Sequence, residues 1–92
     1  MMKTFNDLEF ELMTDPYMSG KKSRIYFDNG YGASVVSHTF SYGGKDGLYE
    51  LAVLKNGDLH YDNPVAEGDV RGYLTEEEVS NLLIQIQQLW KF

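Results

Sequence analysis

The most informative absence in this sequence of 92 residues is that of cysteine. Without a thiol the chain can form no disulfide, bind no zinc through thiolates and use no cysteine nucleophile. Long apolar runs are also missing, and because a membrane-spanning helix needs about 20 consecutive apolar residues, no membrane span is predicted. The opening MMKTFNDLEF has early acids and no apolar stretch, unlike a secretory signal peptide. We therefore expect a protein of the cytoplasm.

The chain is short, and its acids are unevenly distributed. Its length suits one domain, residues 1–92, and is too small for two. The net charge is −6, and residues 57–78 hold seven carboxylates against the single base Arg71. Such a segment repels a nucleic-acid backbone and attracts a basic protein surface. Surface acids also serve solubility alone, and that interpretation stays open.

Apolar patterning predicts a sheet in the first two thirds of the chain. Asn29-Gly30 favours the positive backbone angles of a type I′ hairpin turn, and Asn56-Gly57 predicts a second tight turn. The apolar run at 48–54 lacks alternation and predicts a central strand covered on both faces. The predicted strands are residues 8–12, with Leu8, Phe10 and Leu12 on one face, then 23–28, 31–40, 48–54 and 59–62; loops are predicted at 19–22 and 41–47, and an irregular connection at 63–72.

The C-terminal segment predicts one amphipathic helix. Thr75 and Glu78 have the spacing of a capping box, in which each side chain bonds the other residue's backbone N–H. The apolar residues that follow recur at helical spacing and predict a face packed on the sheet. The fold class is therefore α+β, an antiparallel meander of about five strands with one C-terminal helix on one face. The predicted core face is Val79, Leu82, Leu83, Ile86, Leu89 and Trp90.

The outer side of this predicted helix is poor in charge. Beyond Glu78 it carries no carboxylate, and Ile84 lies away from the core face. Exposed helix faces usually carry more charge. Contact with a partner or with a second copy of the chain is one interpretation, and a neutral solvated face is the other.

No group of residues predicts catalysis or metal binding. His38 and His60 lack the third convergent ligand that a metal site needs, and Ser37 points to the opposite face of its strand from His38. The segment 43–46, GGKD, departs from a phosphate loop, in which Ser or Thr and then a helix follow the lysine. The acids of 57–78 show neither the spacing of a calcium loop nor a distinct catalytic pair. We therefore expect no enzyme, no metal and no cofactor.

Three motifs together resemble a known group of proteins. "FDNGYGASVV", "GLYELAVL" with "HYDNPV", and "DVRGYLTEEEV" occur in an order that is similar to a family of small proteins of tailed bacteriophages and prophages. The resemblance runs over most of residues 4–89. It implies infection of a bacterium as the context and the host cytoplasm as the location, and it supplies no catalytic residue.

In that context the first functional hypothesis is an accessory protein that binds and inhibits a host protein. Host targets of this kind include nucleic-acid-binding defence proteins such as CRISPR effectors. A basic channel that attracts nucleic acid also attracts an ordered acidic surface, and tyrosines can anchor the contact. No direct contact with nucleic acid or membrane is expected. The predicted partner-binding residues are Asp58, Tyr61, Asp62, Glu67, Asp69 and Tyr73.

Two other classes of function remain open from the sequence. One is a binder that sequesters a small nucleotide through Arg24, Tyr42 and Lys45, with Lys21 and Lys22 nearby. The other is a virion or assembly accessory protein. Reversing the charge of Asp58, Asp62 and Asp69 should disable only the inhibitor, whereas loss of Arg24 or Lys45 should disable only the nucleotide binder.

Overall fold

The fold is α+β, and the predicted fold class is confirmed. The computed structural model describes residues 2–60, 63–65 and 70–89. One helix packs on one face of an antiparallel sheet, and 3₁₀ turns lie at Phe5–Asp7 and Gly44–Asp46. The strands are β1 (Glu11–Asp15), β2 (Met18–Tyr26), β3 (Tyr31–His38), β4 (Tyr49–Lys55), β5 (Asp58–Leu59) and β6 (Arg71–Leu74), and the helix is α1 (Glu76–Gln87).

The first five strands form a meander, and the sixth returns to β4. β5 pairs with one end of β4, where Leu54 faces Leu59, and β6 pairs with the other end, where Tyr49 faces Leu74. The prediction of an irregular connection at 63–72 missed the start of β6. The sequence of β6 shows no regular alternation of buried and exposed residues. The reason is that its register with β4 shifts between Tyr49 and Leu51, which places an extra residue in β6.

The N-terminal predictions need correction. The predicted strand at 8–12 is wrong in its bounds, and the predicted loop at 19–22 is wrong because these residues lie within β2, paired with β1. Leu8 and Phe10 precede β1 and pack against the core, whereas Leu12 is 80% exposed. The reason is that Leu12 sits on the edge strand, beside Lys21, where no described element covers it. Alternation alone could not show where the chain enters the sheet.

The core lies between α1 and the central strands. Val79, Leu82, Leu83 and Ile86 of α1 are buried against β3, β4 and β6, as predicted. Of the other two residues of the predicted core face, Leu89 is partly buried against the core, and Trp90 lies outside the described residues. Each fully buried aliphatic side chain of this size contributes about 2 kcal/mol. Consecutive side chains of β4, which point to opposite faces of the sheet, are both buried. This confirms the predicted central strand. α1, the one α-helix among the described residues, is too short and too polar to cross a membrane.

The two Asn-Gly turns differ, although the sequence predicts a tight turn for both. The predicted tight turn between β4 and β5 is confirmed, and it is of type I′, since Asn56 (φ 52°) and Gly57 (φ 88°) both have positive φ. At the other turn only Gly30 does (φ 88°), so the type I′ prediction there is wrong. The side chain of Asn29 accounts for the difference. Its Oδ1 accepts the N–H of Tyr31, and its Nδ2 donates to the carbonyls of Ile86 in α1 and of Leu89 just after it.

The outer side of α1 is partly covered by the N-terminal segment. Gln87 makes two hydrogen bonds to the backbone of Lys3, of 2.9 and 2.8 Å. Ser80 Oγ accepts the N–H of Phe5 at 2.9 Å. Ile84, predicted to lie in solvent, is half-buried. These contacts account for the polar, uncharged side chains of Ser80 and Gln87 on this side of the helix.

Candidate functional site

Four exposed aromatic side chains lie at one end of the molecule, called here the aromatic end. Neighbouring strands run in opposite directions, so the β1–β2 turn, the β3–β4 loop and the last residues of β6 share this end. Aromatic side chains are enriched at protein interfaces relative to the rest of a protein surface. The four are Tyr17 (85% exposed), Phe40 (68%), Tyr42 (55%) and Tyr73 (60%).

Tyr73 is held in an unfavourable backbone conformation. Its φ is 55°, in the left-handed region that bulky residues rarely adopt. Two residues, Gly72 and Tyr73, stand between Arg71 and Leu74, opposite the single residue that separates Leu51 from Tyr49. This is the arrangement of a β-bulge, which redirects a side chain out of the strand's alternation. The bulge therefore presents the Tyr73 ring to solvent at a conformational cost.

The β3–β4 loop packs directly on this bulge. The N–H of Tyr73 donates to the carbonyl of Tyr42 at 3.1 Å. A Cβ on Gly43 would lie 2.9 Å from the Cα of Tyr73, and a Cβ on Gly72 would collide with the side chain of Tyr42. Gly43 has a φ of 91°, which favours glycine independently. Close backbone packing thus fixes Tyr42 and Tyr73 relative to one another.

Phe40 is positioned by its neighbours in the same loop. Its N–H donates to Nδ1 of His38 at 3.1 Å. Ser41 Oγ donates to the carbonyl of His38 and accepts its N–H. His38 therefore holds Phe40 and Ser41 of the loop in place through these hydrogen bonds. Among the described residues, no group of three potential ligands could hold a metal ion.

Carboxylates border the aromatic end. Glu76, Glu77 and Glu78 occupy the first turn of α1, Asp15 ends β1, and Asp46 lies in the β3–β4 loop. The capping box is confirmed: the Thr75 N–H donates to Glu78 Oε1 at 3.0 Å, and the Glu78 N–H donates to Thr75 Oγ1 at 3.2 Å. Hydrogen bonds from the backbone and then the hydroxyl of Thr75 hold the pKa of Glu78 below its ordinary value of 4.5. Glu78 is thus ionised and engaged in the cap.

The predicted partner-binding residues are not all placed together. Tyr73 lies at the aromatic end, but Asp58 faces Lys55 at the opposite end of β4. The separation along β4 is roughly 20 Å, from about 3.3 Å per residue. The remaining predicted residues, Tyr61, Asp62, Glu67 and Asp69, lie outside the described residues.

The predicted nucleotide-binding residues are also spread over different surfaces. Arg24 and Lys22 lie on the sheet face away from α1, because Ser23 between them is buried on the helix side. Lys21 lies on the helix side, with Nζ 4.9 Å from the ring centre of Phe10. Lys45 is exposed in the β3–β4 loop, next to Tyr42 in sequence but apart from Arg24. No described arrangement brings these cations around one ligand.

Sequence reasoning missed Tyr17 and Phe40. Pro16 and Tyr17 form the tight β1–β2 turn. Since proline favours turns at the surface, Pro16 could have indicated that the neighbouring Tyr17 ring is exposed. No family model matches the chain, and no curated protein or solved structure matches it. The aromatic end is therefore the feature from which a function is inferred.

Proposed function

We propose that the chain is a non-enzymatic interaction protein that binds a bacterial host protein through the aromatic end. The observation that carries this proposal is the exposed Tyr73, held at φ 55° within a bulge. Strained residues that persist in a fold concentrate at functional positions. The phage resemblance supplies the proposed context, inhibition of a host protein during infection.

Folding alone does not account for a tyrosine at this position. Glycine or asparagine would adopt the left-handed backbone conformation at lower cost. Glycine has no Cβ, and the short polar side chain of asparagine can form local hydrogen bonds there. The Tyr73 ring is 60% exposed, so its own burial does not offset the strain. Burial against a partner would, because tyrosine rings anchor many protein interfaces.

The charges around the rings indicate the chemistry of the partner. The first turn of α1 contributes Glu76 and Glu77, both exposed, and the net charge of the chain is −6. Complementary charge accelerates association and suppresses wrong partners. The proposed partner is therefore a protein with a basic surface, such as the nucleic-acid-binding channel of a defence protein.

Capture from bacterial lysate followed by affinity measurement tests the proposal. The immobilised wild-type chain should retain one host protein in stoichiometric amount, which is then purified and titrated. Tyr73→Gly and Tyr42→Ala should each weaken binding about tenfold or more, as expected for interface anchors. Tyr26→Ala is the matched control, because Tyr26 is 55% exposed but lies near the opposite end of the sheet.

Three outcomes would contradict the proposal. Binding that survives Tyr73→Gly and Tyr42→Ala but fails on Asp58→Lys would place the interface at the other end. A nucleotide released from the purified chain, lost on Arg24→Ala, would favour the sequestering function. Stoichiometric recovery in purified virions without a host partner would favour an assembly role.

A further inference from the structure

A polar cavity lies on the face of the sheet that points away from α1. Its volume is about 400 Å³, within the range of roughly 300–1,000 Å³ that is usual for ligand sites. Lys22 and Arg24 of β2 lie on this face, and Ser34 of β3 pairs directly with Arg24. The residues that line the cavity are Glu9, Glu11, Lys22, Ser23, Arg24 and Ser34.

Four charged side chains border this cavity, two of each sign. Glu11 lies directly across the ladder from Lys22, and the same register continued by two residues places Glu9 beside Arg24. Within the described part of the chain, no ion pair or hydrogen bond engages these four exposed side chains. Each of them is therefore available to a ligand, and two carboxylates against two cations leave the site without net charge.

This alternation of charge favours a hydroxyl group over an ion. A hydroxyl both donates and accepts hydrogen bonds, so between a carboxylate and a cation it satisfies both. An anion at the same position is attracted by Arg24 but repelled by Glu9, and an ammonium group meets the reverse. The hydroxyl of Ser34 can also donate or accept. The cavity therefore fits a neutral ligand that carries several hydroxyl groups.

Tyr26 adds an apolar surface beside the cavity. It follows Arg24 by two residues on the same face of β2, roughly 7 Å along the strand. Its ring lies against Gly32, where an added Cβ would be 3.1 Å from the ring's Cδ1, and the residue is 55% exposed. One face of a pyranose ring carries mostly C–H groups, and packing that face on Tyr26 would remove apolar surface of both from water.

We propose that this face of the sheet binds a neutral saccharide. The hydroxyl groups of the sugar lie between carboxylate and cation in the Glu9–Arg24 and Glu11–Lys22 pairs, donating to the first and accepting from the second. The apolar face of the sugar packs on Tyr26. This site is separate from the aromatic end and does not rest on the function proposed above.

NMR titration of the full chain with simple glycosides tests the proposal. The neutral probes are the methyl glycosides of glucose, galactose and mannose, and at least one should shift the amide signals of Arg24, Tyr26 and Ser34 with a millimolar Kd. The uronate and the amino sugar of the same configuration carry one charge each. Both should bind several-fold more weakly than the neutral sugar, because each meets a like charge in the cavity.

Substitutions on this face separate the parts of the site. Arg24→Gln should weaken binding about tenfold, since a hydrogen bond from a charged group is lost. Tyr26→Ala should weaken it about fivefold through loss of the ring contact. Glu9→Gln leaves the cavity with a positive net charge, so the uronate should bind this variant more tightly than the wild type. Lys45→Gln removes an exposed cation of the β3–β4 loop and is the matched control, with no expected effect.

Three results would each overturn the proposal. The first is that no neutral glycoside shifts these amide signals at tens of millimolar. The second is that a uronate or an amino sugar binds the wild type as tightly as the neutral sugar does. The third is that binding survives both Arg24→Gln and Tyr26→Ala. Unchanged signals elsewhere show that a variant is folded, and Lys22→Gln replaces Arg24→Gln if that variant is not.

Discussion

The two ends of the sheet use their side chains in opposite ways. At the end with the two Asn-Gly turns, called here the hairpin end, the polar groups of Asn29 serve the fold itself. At the aromatic end, Tyr73 is strained and its ring is exposed. The side chain of Asn29 thus stabilises the fold at the hairpin end, whereas the backbone strain of Tyr73 destabilises the fold at the aromatic end. Substitutions at the two ends should therefore separate stability from binding.

The largest expected effect on stability is at the hairpin end. Asn29→Ala removes the donor that satisfies the carbonyls of Ile86 and Leu89 and the acceptor for the Tyr31 N–H. Because three hydrogen bonds of half-buried groups are then lost, we expect the free energy of unfolding to fall by about 2 kcal/mol. Urea denaturation measures this change.

Asn56→Ala is the control for that substitution. It changes the same residue type in the other Asn-Gly turn, where only the left-handed backbone is at stake. Its expected cost is about 1 kcal/mol. If Asn56→Ala were the more damaging, the turn rather than the contact with the helix would explain the role of Asn29.

An intermediate effect is expected at Tyr73. In an ordinary strand, alanine is more stabilising than glycine by about 0.5–1 kcal/mol. Here the order should reverse, with Tyr73→Gly more stable than Tyr73→Ala by about 1 kcal/mol, because only glycine is relaxed at positive φ. Thermal or urea unfolding of the two variants decides it. The ordinary order would show that Tyr73 is not strained.

The smallest effect concerns pH at the start of α1. Since the pKa of Glu78 is lowered in the folded state, its cap contributes stability above the ordinary pKa of 4.5. That contribution is lost as the pH falls through the lowered value. Glu78→Gln can still donate and accept but does not titrate there. The wild type should therefore lose stability relative to this variant below pH 4.5, as urea midpoints across pH would show.

Local chemistry predicted the elements whose cause is local. The capping box of Thr75 and Glu78 and the turn at Asn56 depend on neighbours in sequence, and both are confirmed. The turn at Asn29 was mispredicted because its side chain bonds residues of a helix far along the chain. Tertiary contacts override local preference in such cases.

The candidate site was less predictable than the fold. Tyr73 was identified as an aromatic anchor, but its strain comes from a bulge that only the pairing with β4 reveals. Phe40 falls within the predicted strand at 31–40, and neither it nor Tyr17 was identified as exposed, since exposure depends on where α1 covers the sheet. The four exposed rings share one end of the sheet because of the strand topology, which the pattern of apolar residues in the sequence does not show.

The hydrogen bonds between Lys3 and Gln87 also constrain how the chain acquires its structure. They join residues 84 positions apart, and Phe5 meets Ser80 across nearly the same interval. Contacts between distant residues slow folding, because a long loop must close before they form. During translation the N-terminal segment leaves the ribosome early, but Lys3 and Phe5 can form these hydrogen bonds only after α1 has also emerged. Folding of this domain is therefore expected to finish only after synthesis of α1.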